Sequence, residues 1–278
     1  MASLAAHPSS SLVKLLLMGN SGVGKTGALA TLPPAGYRLF IFDYDNGLDI
    51  LLDPKILDPR YHSQVFYKSF QDKPIVVGNA LVPQATAWTE MMKSLSDWKE
   101  DGKSLGGVTK WGENDVIVID SLTFAADRCF DEALKMGGRL GQRPQIQDYG
   151  AAMDNLQSFF ELLYGDACKC NVVMTAHLMF IGDEMSGVRK AYPNVIGQKL
   201  APKIPRYFNN MILVEKTTVG ATVKRSFQTV GTHNIDLKTS KPSVIPAKME
   251  PDLGKLFALL KGDAAAVPVS TATPAKAS

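Results

Sequence analysis

The stretch Gly19-Asn20-Ser21-Gly22-Val23-Gly24-Lys25-Thr26 constrains this chain more than any other. It reads G-x-x-x-x-G-K-T, the P-loop pattern, and its flanks are those the pattern needs. Before it runs Ser11-Leu12-Val13-Lys14-Leu15-Leu16-Leu17-Met18, long enough for one buried strand. After it, Gly27-Ala28-Leu29-Ala30-Thr31-Leu32 begins a helix that Pro33-Pro34 stops. The glycines let the backbone curl so that successive N–H groups point at phosphate oxygens. Lys25 can reach the β- and γ-phosphates, and the Thr26 hydroxyl can ligate Mg²⁺. Residues 19–26 therefore read as a nucleoside-triphosphate site.

The second strong signal is Asp115-Val116-Ile117-Val118-Ile119-Asp120-Ser121. Four apolar β-branched residues end in an acid, the Walker B form, in which a buried strand delivers a carboxylate to the magnesium shell. Asp120 is thus the second metal candidate beside Thr26. Asp120 or Ser121 can also cap a helix expected over 122–136. Between the two motifs, Tyr37-Arg38-Leu39-Phe40-Ile41-Phe42 reads as a strand ending at Asp43-Tyr44-Asp45-Asn46-Gly47. Carboxylates there are placed to meet magnesium or the attacking water, although Asp, Asn and Gly also make turns. Asn171-Val172-Val173-Met174-Thr175-Ala176 is another strand, and His177 at its end can hydrogen-bond a γ-phosphate.

The rest of the chain is read more coarsely. Residues 1–11 and 262–278 are expected to be disordered tails around a single core of 12–261. Residues 64–67 read as a short strand. Residues 84–99 read as a helix whose Trp88, Met91, Met92, Leu95 and Trp98 recur every three or four positions and point to core. Residues 101–114 read as a loop, and 148–164 as a helix. The loop 135–144 is rich in glycine and basic residues, Arg139 and Arg143 among them, and is expected to be mobile. Residues 178–206 show no periodicity and read as a functional or partly disordered loop. A strand is expected over 208–214, two further strands at 221–223 and 227–230, and a short helix over 251–260.

Composition excludes some classes. Hydrophobic residues at 45% and charged residues at 21% are ordinary for a globular protein. No apolar run approaches the roughly 20 residues of a membrane span, so no membrane partner is expected. The three cysteines form no disulfide framework, which fits a reducing, cytoplasmic setting, and Cys168-Lys169-Cys170 lacks the second pair a metal site needs. The net charge of +3 is unevenly spread. From 185 to 234 eight basic residues, Arg189, Lys190 and Lys199 among them, face the single acid Glu215. A basic sector on a mildly acidic body points to a polyanion or to a solvated face; charge alone does not choose.

Over 12–261 the chain resembles the RecA-like P-loop ATPases, in particular the phage nucleotide-binding proteins that include the Sak group of single-strand annealing or recombination proteins. The resemblance rests on Gly19 to Thr26, Phe42 to Gly47, Val116 to Ser121, Val172 to His177, and Lys238-Thr239-Ser240-Lys241-Pro242 before Ile245-Pro246. It implies an α/β fold: a mainly parallel central sheet flanked by helices, with C-terminal antiparallel hairpin strands. It implies an ATPase using ATP and Mg²⁺. Asp45 stands where the family usually carries the water-polarising Glu, one methylene shorter, and His177 where it often carries a Gln sensor. Lys238 and Lys241 match lysines that act on a neighbouring subunit's γ-phosphate. Two DNA-contacting loops would fall near 137–147 and 178–200, bringing Arg139, Arg143, Arg189, Lys190 and Lys199 to single-stranded DNA. A ring or filament of identical subunits, and a phage or host single-strand-binding protein as partner, follow from the same likeness. The rival reading is a nucleotide switch whose basic surface docks a protein. A small-molecule kinase is a third, without the arginine-rich lid such enzymes use.

Overall fold

A computed structural model describes residues 11–182, 189–220 and 222–262. The expected tails 1–11 and 262–278 fall almost wholly outside the described residues. The strands in chain order are β1 (Lys14–Met18), β2 (Arg38–Asp43), β3 (Val65–Ser69), β4 (Ile75–Val77), β5 (Ala80–Val82), β6 (Lys99–Glu100), β7 (Lys103–Ser104), β8 (Asp115–Asp120), β9 (Asn171–Ala176), β10 (Leu178–Gly182), β11 (Arg189–Pro193), β12 (Asn210–Val219), β13 (Thr222–Gln228) and β14 (Lys248–Met249). The helices are α1 (Lys25–Ala28), α2 (Ala87–Ser96), α3 (Leu122–Met136), α4 (Ile146–Tyr164) and α5 (Leu253–Lys261).

Eight strands form one sheet in the order β14-β13-β12-β1-β9-β8-β2-β3. From β12 to β3 all neighbours run parallel, while β13 and β14 add antiparallel at one edge. Strands β1, β2, β8 and β9 are apolar at nearly every position because both faces of the sheet are covered. The pleat sorts their residues by alternation. Leu16, Met18, Phe40, Phe42, Ile117, Ile119 and Met174 pack with α2, α3 and α4 on one face. Leu15, Leu17, Leu39, Ile41, Val116, Val118 and Val173 pack with α1 and α5 on the other.

The strand order places β9 between β1, which leads into the P-loop, and β8, which ends in Asp120. Period two then sets the chemistry. Asp120 lies two residues beyond Val118, and Thr175 two beyond Val173, so both emerge on the α1 face.

The first face is knitted by aromatic rings. Phe40 is fully buried and stacks on Trp111 with centroids 4.2 Å apart, on Phe66 at 5.3 Å, and edge-on to Trp98 at 5.4 Å. A Phe40→Ala substitution leaves a cavity among rigid rings that cannot collapse, and is expected to cost about 3–5 kcal/mol. Denaturant unfolding measures it; a loss below about 1 kcal/mol would mean that this cluster repacks freely.

Several sequence expectations need correction. Residues 178–206 contain the β10–β11 hairpin and a 3-10 segment, Ala201–Tyr207. The hairpin is not marked in the sequence because Leu178-Met179-Phe180-Ile181-Gly182 has no polar–apolar alternation, although burial alternates along both strands. The two strands expected at 221–223 and 227–230 are one, β13, paired along its length with β12. The expected loop 101–114 carries the short strand β7. Cys168 and Cys170 are buried free thiols beside Lys14, whose Nζ donates to Cys168 Sγ at 3.0 Å and to the carbonyls of Leu163 and Cys170 at 2.9 Å. Among the described residues no group of three or more His, Cys, Asp or Glu is arranged to hold a metal ion, and no helix is long and apolar enough to cross a membrane.

Candidate nucleotide site

The turn from β1 into α1 wraps around Lys25. Its Nζ donates to the carbonyls of Gly19 and Asn20, each at 2.9 Å, and burial pulls its pKa down despite the nearby carboxylates of Asp120 and Asp45. Two glycines are required by geometry. Gly24 sits at φ 104°, in the left-handed region. At Gly19, a Cβ would meet the Val214 carbonyl oxygen at 2.8 Å, because β12 passes directly over the loop.

Asp120 is the hub. The Thr26 hydroxyl donates to its Oδ2 at 2.7 Å, and the Thr175 hydroxyl donates to its Oδ1. P-loop, intervening strand and Walker B strand thus meet at one carboxylate. Burial pushes this carboxyl up to about 6, against the lowering pull of the Thr175 and Thr26 hydroxyls. A hydroxyl and a carboxylate side by side are hard oxygen donors and suit Mg²⁺, so the residues present fit the metal.

The raised value has a consequence for stability. An unfolded Asp titrates near its ordinary value, so between there and about 6 the folded chain holds a proton that the unfolded chain has lost. Stability therefore falls as pH rises through this window, and above it the full cost, roughly 3 kcal/mol, is present. In chelator, Asp120→Asn is expected to melt higher than wild type at pH 7.5, and the gap is expected to close by pH 4. A variant that melts lower at pH 7.5 would show that the charged carboxylate is stabilised by its neighbours.

The two acids at the end of β2 have different surroundings. Asp43 is buried; its Oδ1 accepts from the Asn46 N–H at 2.9 Å and its Oδ2 from the Ser69 hydroxyl at 3.2 Å. It shapes the turn. Asp45 faces the cleft, with Oδ1 accepting from the Ser121 N–H at 2.9 Å and the Ser121 hydroxyl at 2.7 Å. The Ser121 hydroxyl also accepts from the Phe124 N–H at 3.5 Å, so one side chain caps α3 and holds the acid. The second Asp45 oxygen lies 3.5 Å from His177 Nε2. The His177 N–H donates to the Thr123 hydroxyl at 3.0 Å, and its ring packs edge-on against Phe124.

Lys25, Thr26, Asp45 and His177 line a cleft of about 800 Å³, together with Ser21, Gly22, Asp127, Asn194 and Arg225, and Asp120 lies buried behind Thr26. Lys25, Thr26, Asp45, Asp120 and His177 are thus brought together, as are the loop residues from Gly19 to Gly24. Sequence reasoning did not place Thr175 against Asp120 or Asn194 and Arg225 at the cleft. The alternation of Val173 with Thr175 carried the first; Arg225 was visible only as one cation among eight.

The remaining candidates lie apart from the cleft. Arg139 is committed to Asp148: its Nε donates to Oδ2 at 2.8 Å, and the pair holds the carboxyl down to about 2. The same Asp148 Oδ2 accepts from the Gln145 N–H at 2.8 Å, completing the start of α4. The Arg139–Asp148 pair ties the centre of the loop to α4, and Lys135 and Arg143 are its exposed cations. Lys190 pairs with Asp236 at 2.6 Å, while Arg189 and Lys199 are exposed. Lys238 pairs its backbone with Met211 near the start of β12, and Lys241 Nζ lies beside Gly262 at the end of α5. Since Lys261 reaches the Glu113 carbonyl at the foot of β8, Lys241 occupies the end of the sheet opposite its own P-loop.

A glycine-rich loop after the first strand, a second strand ending in a buried acid, and a further strand between them define a RecA-like P-loop ATPase core. The sequence matches the AAA domain family over residues 11–248, well over half of its length, and the chain belongs to that family. No curated protein matches the sequence. Solved structures similar to it include the flagellar accessory protein FlaH from Methanocaldococcus jannaschii (11% identity, 87% of each chain, TM-score 0.45) and the RadB recombinase (13% identity, 78% of this chain and 79% of that one, TM-score 0.43). The ATPase EscN of the enteropathogenic E. coli type III secretion system, solved in complex with its central stalk EscO, is 13% identical over 82% of this chain and 50% of its own, with a TM-score of 0.44. At such TM-scores none of these likenesses bears on what this chain binds.

Proposed function

We propose that this protein binds and hydrolyses ATP with Mg²⁺ and uses the nucleotide to control binding of single-stranded DNA, in phage-type recombination or strand annealing. Lys25 and the amides of the P-loop bind the phosphates. Asp45 orients and deprotonates the attacking water, with His177 beside it to report the γ-phosphate. Thr26 and Asp120 hold Mg²⁺, which neutralises phosphate charge when bound. Lys238 and Lys241, remote from their own P-loop, serve the neighbouring subunit's site in a ring or filament. The setting is the cytoplasm, that of an infected bacterial host for a phage-encoded chain, with a phage or host single-strand-binding protein as partner class.

One observation supports the coupling most. The β10–β11 hairpin is rooted on the sensor: β10 begins at the residue after His177, and the Asn194 N–H, just past β11, donates to the His177 carbonyl at 2.8 Å. A shift of His177 on γ-phosphate loss therefore moves both legs of a hairpin that carries Arg189 and Lys190. Arg143 and Lys199 are exposed cations elsewhere on the surface. Contacts of this kind release counterions, and about four phosphate contacts to a single strand give tens-of-fold weaker binding between 50 and 200 mM salt. Fluorescence anisotropy of an oligonucleotide with ATP and Mg²⁺ tests this; affinity indifferent to salt would remove the electrostatic part. The second reading, a switch that docks a protein without DNA, is favoured by the shortened acid at Asp45 and requires that no DNA be retained even at low salt.

A further inference from the structure

The β12–β13 ribbon outruns the sheet it belongs to. Strand β1 pairs with β12 only as far as Leu213, yet β12 continues to Val219 and turns back as β13. The ribbon therefore projects past the P-loop, and its backbone crowds Gly19 at Val214. Alternation along β13 decides which side chains face that loop. Phe227 is fully buried in the cluster that also holds Val23 and Val214. Two residues away on the same face, Arg225 leaves the core and lies on the loop itself. A Cβ placed on Gly24 would be 2.7 Å from Arg225 Cδ and 3.0 Å from its Nε. Arg225 also lines the cleft with Lys25, Thr26 and Asp45.

This placement is electrostatically unbalanced. Across the ribbon Arg225 stands opposite Lys216, a like-charged pair in direct register. Among the described residues no carboxylate forms an ion pair with Arg225, whereas Lys216 faces a different pocket with Asn20 and Val23. The P-loop beneath offers amide donors and the Lys25 ammonium, which are cationic or electropositive too. Asp45 and Asp127 share the cleft but form no ion pair with Arg225 among the described residues, so a planar guanidinium held over such a surface is matched by an incoming anion rich in oxygen acceptors. Lys25 meanwhile rests on the carbonyls of Gly19 and Asn20.

We propose that Arg225 is a second phosphate-binding cation of the nucleotide site, supplied in the same chain by the β12–β13 ribbon, so that bound nucleotide clamps the ribbon onto the P-loop. This rests on the nucleotide reading of residues 19–26.

The test is equilibrium binding of a fluorescent ATP analogue to wild type, Arg225→Gln, Arg225→Lys, Lys224→Gln and Lys25→Ala, with thermal melts with and without ATP. Lys224 is adjacent in sequence but on the opposite face of β13, so it controls for general charge. Arg225→Gln is expected to keep the nucleotide-free melting temperature, to bind about tenfold more weakly, and to lose most of the ATP-induced shift. Arg225→Lys is expected to recover part of the affinity, and it carries the same comparison if the glutamine variant does not fold. Lys224→Gln is expected to bind as wild type. Wild-type affinity in both Arg225 variants, with binding lost in Lys25→Ala, would overturn the role of Arg225 and leave the P-loop reading intact. Equal losses in Arg225→Gln and Lys224→Gln would reduce it to diffuse charge and overturn it as well. No nucleotide binding by wild type would overturn both.

Discussion

Lys25→Ala is expected to lower ATP affinity by about 10²–10³-fold, the consequence of removing a partly buried cation that meets a polyphosphate. The ammonium is held in place before nucleotide arrives, by the carbonyls of Gly19 and Asn20. Burial lowers its pKa against the raising pull of Asp120 and Asp45, so the ammonium is a desolvated charge that a phosphate would complement. Both effects are lost in the alanine variant, while the backbone cradle remains. Isothermal titration with ATP and Mg²⁺ measures the change. Wild-type affinity together with wild-type hydrolysis would refute the assignment of residues 19–26.

Asp45→Asn carries the other large effect. ATP binding is expected to be spared, and hydrolysis to fall by about 10²–10⁴-fold, the range for loss of a positioned general base. The choice of Asp45 over Asp43 follows from their partners. Asp43 spends both oxygens on the turn, through the Asn46 N–H and the Ser69 hydroxyl. Asp45 is anchored through one oxygen by Ser121 and presents the other toward the cleft and His177. The anchor bears on the missing methylene: a shorter acid reaches less far, and Ser121 fixes where it points. Steady-state turnover separates the possibilities, because unchanged kcat in Asp45→Asn would move water activation to another group.

Much of this site is legible in the sequence. The P-loop is a local pattern, and its chemistry is written in glycine, lysine and threonine at fixed spacing. The helix expected over 122–136, with Asp120 or Ser121 as its cap, is α3, and the structure gives the cap to Ser121. Strand β8 was marked by an unbroken β-branched run, as a strand covered on both faces should be. What failed were features set by distant partners. Arg139 reads as a free loop cation until α4 brings Asp148 against it. The β10–β11 hairpin shows no polar–apolar alternation in its residues, although Ala191 joins the core and Met179, Ile181 and Tyr192 pack against it. Arg225 looked like part of a charge cluster, and only the length of β12 beyond β1 carries it onto Gly24. The separation of Asp43 from Asp45 likewise needed β3, which brings Ser69 to the first acid.

The central claim, that one site couples ATP hydrolysis to a single-stranded polyanion, is tested most directly by phosphate release from ATP and Mg²⁺ with and without single-stranded DNA, at low and moderate salt. The expected result is hydrolysis that DNA stimulates at low salt, with the stimulation fading as salt rises, and no hydrolysis in Lys25→Ala. Hydrolysis indifferent to DNA, with no DNA retained at low salt, would contradict the coupling and leave a P-loop ATPase whose basic surface serves a protein partner.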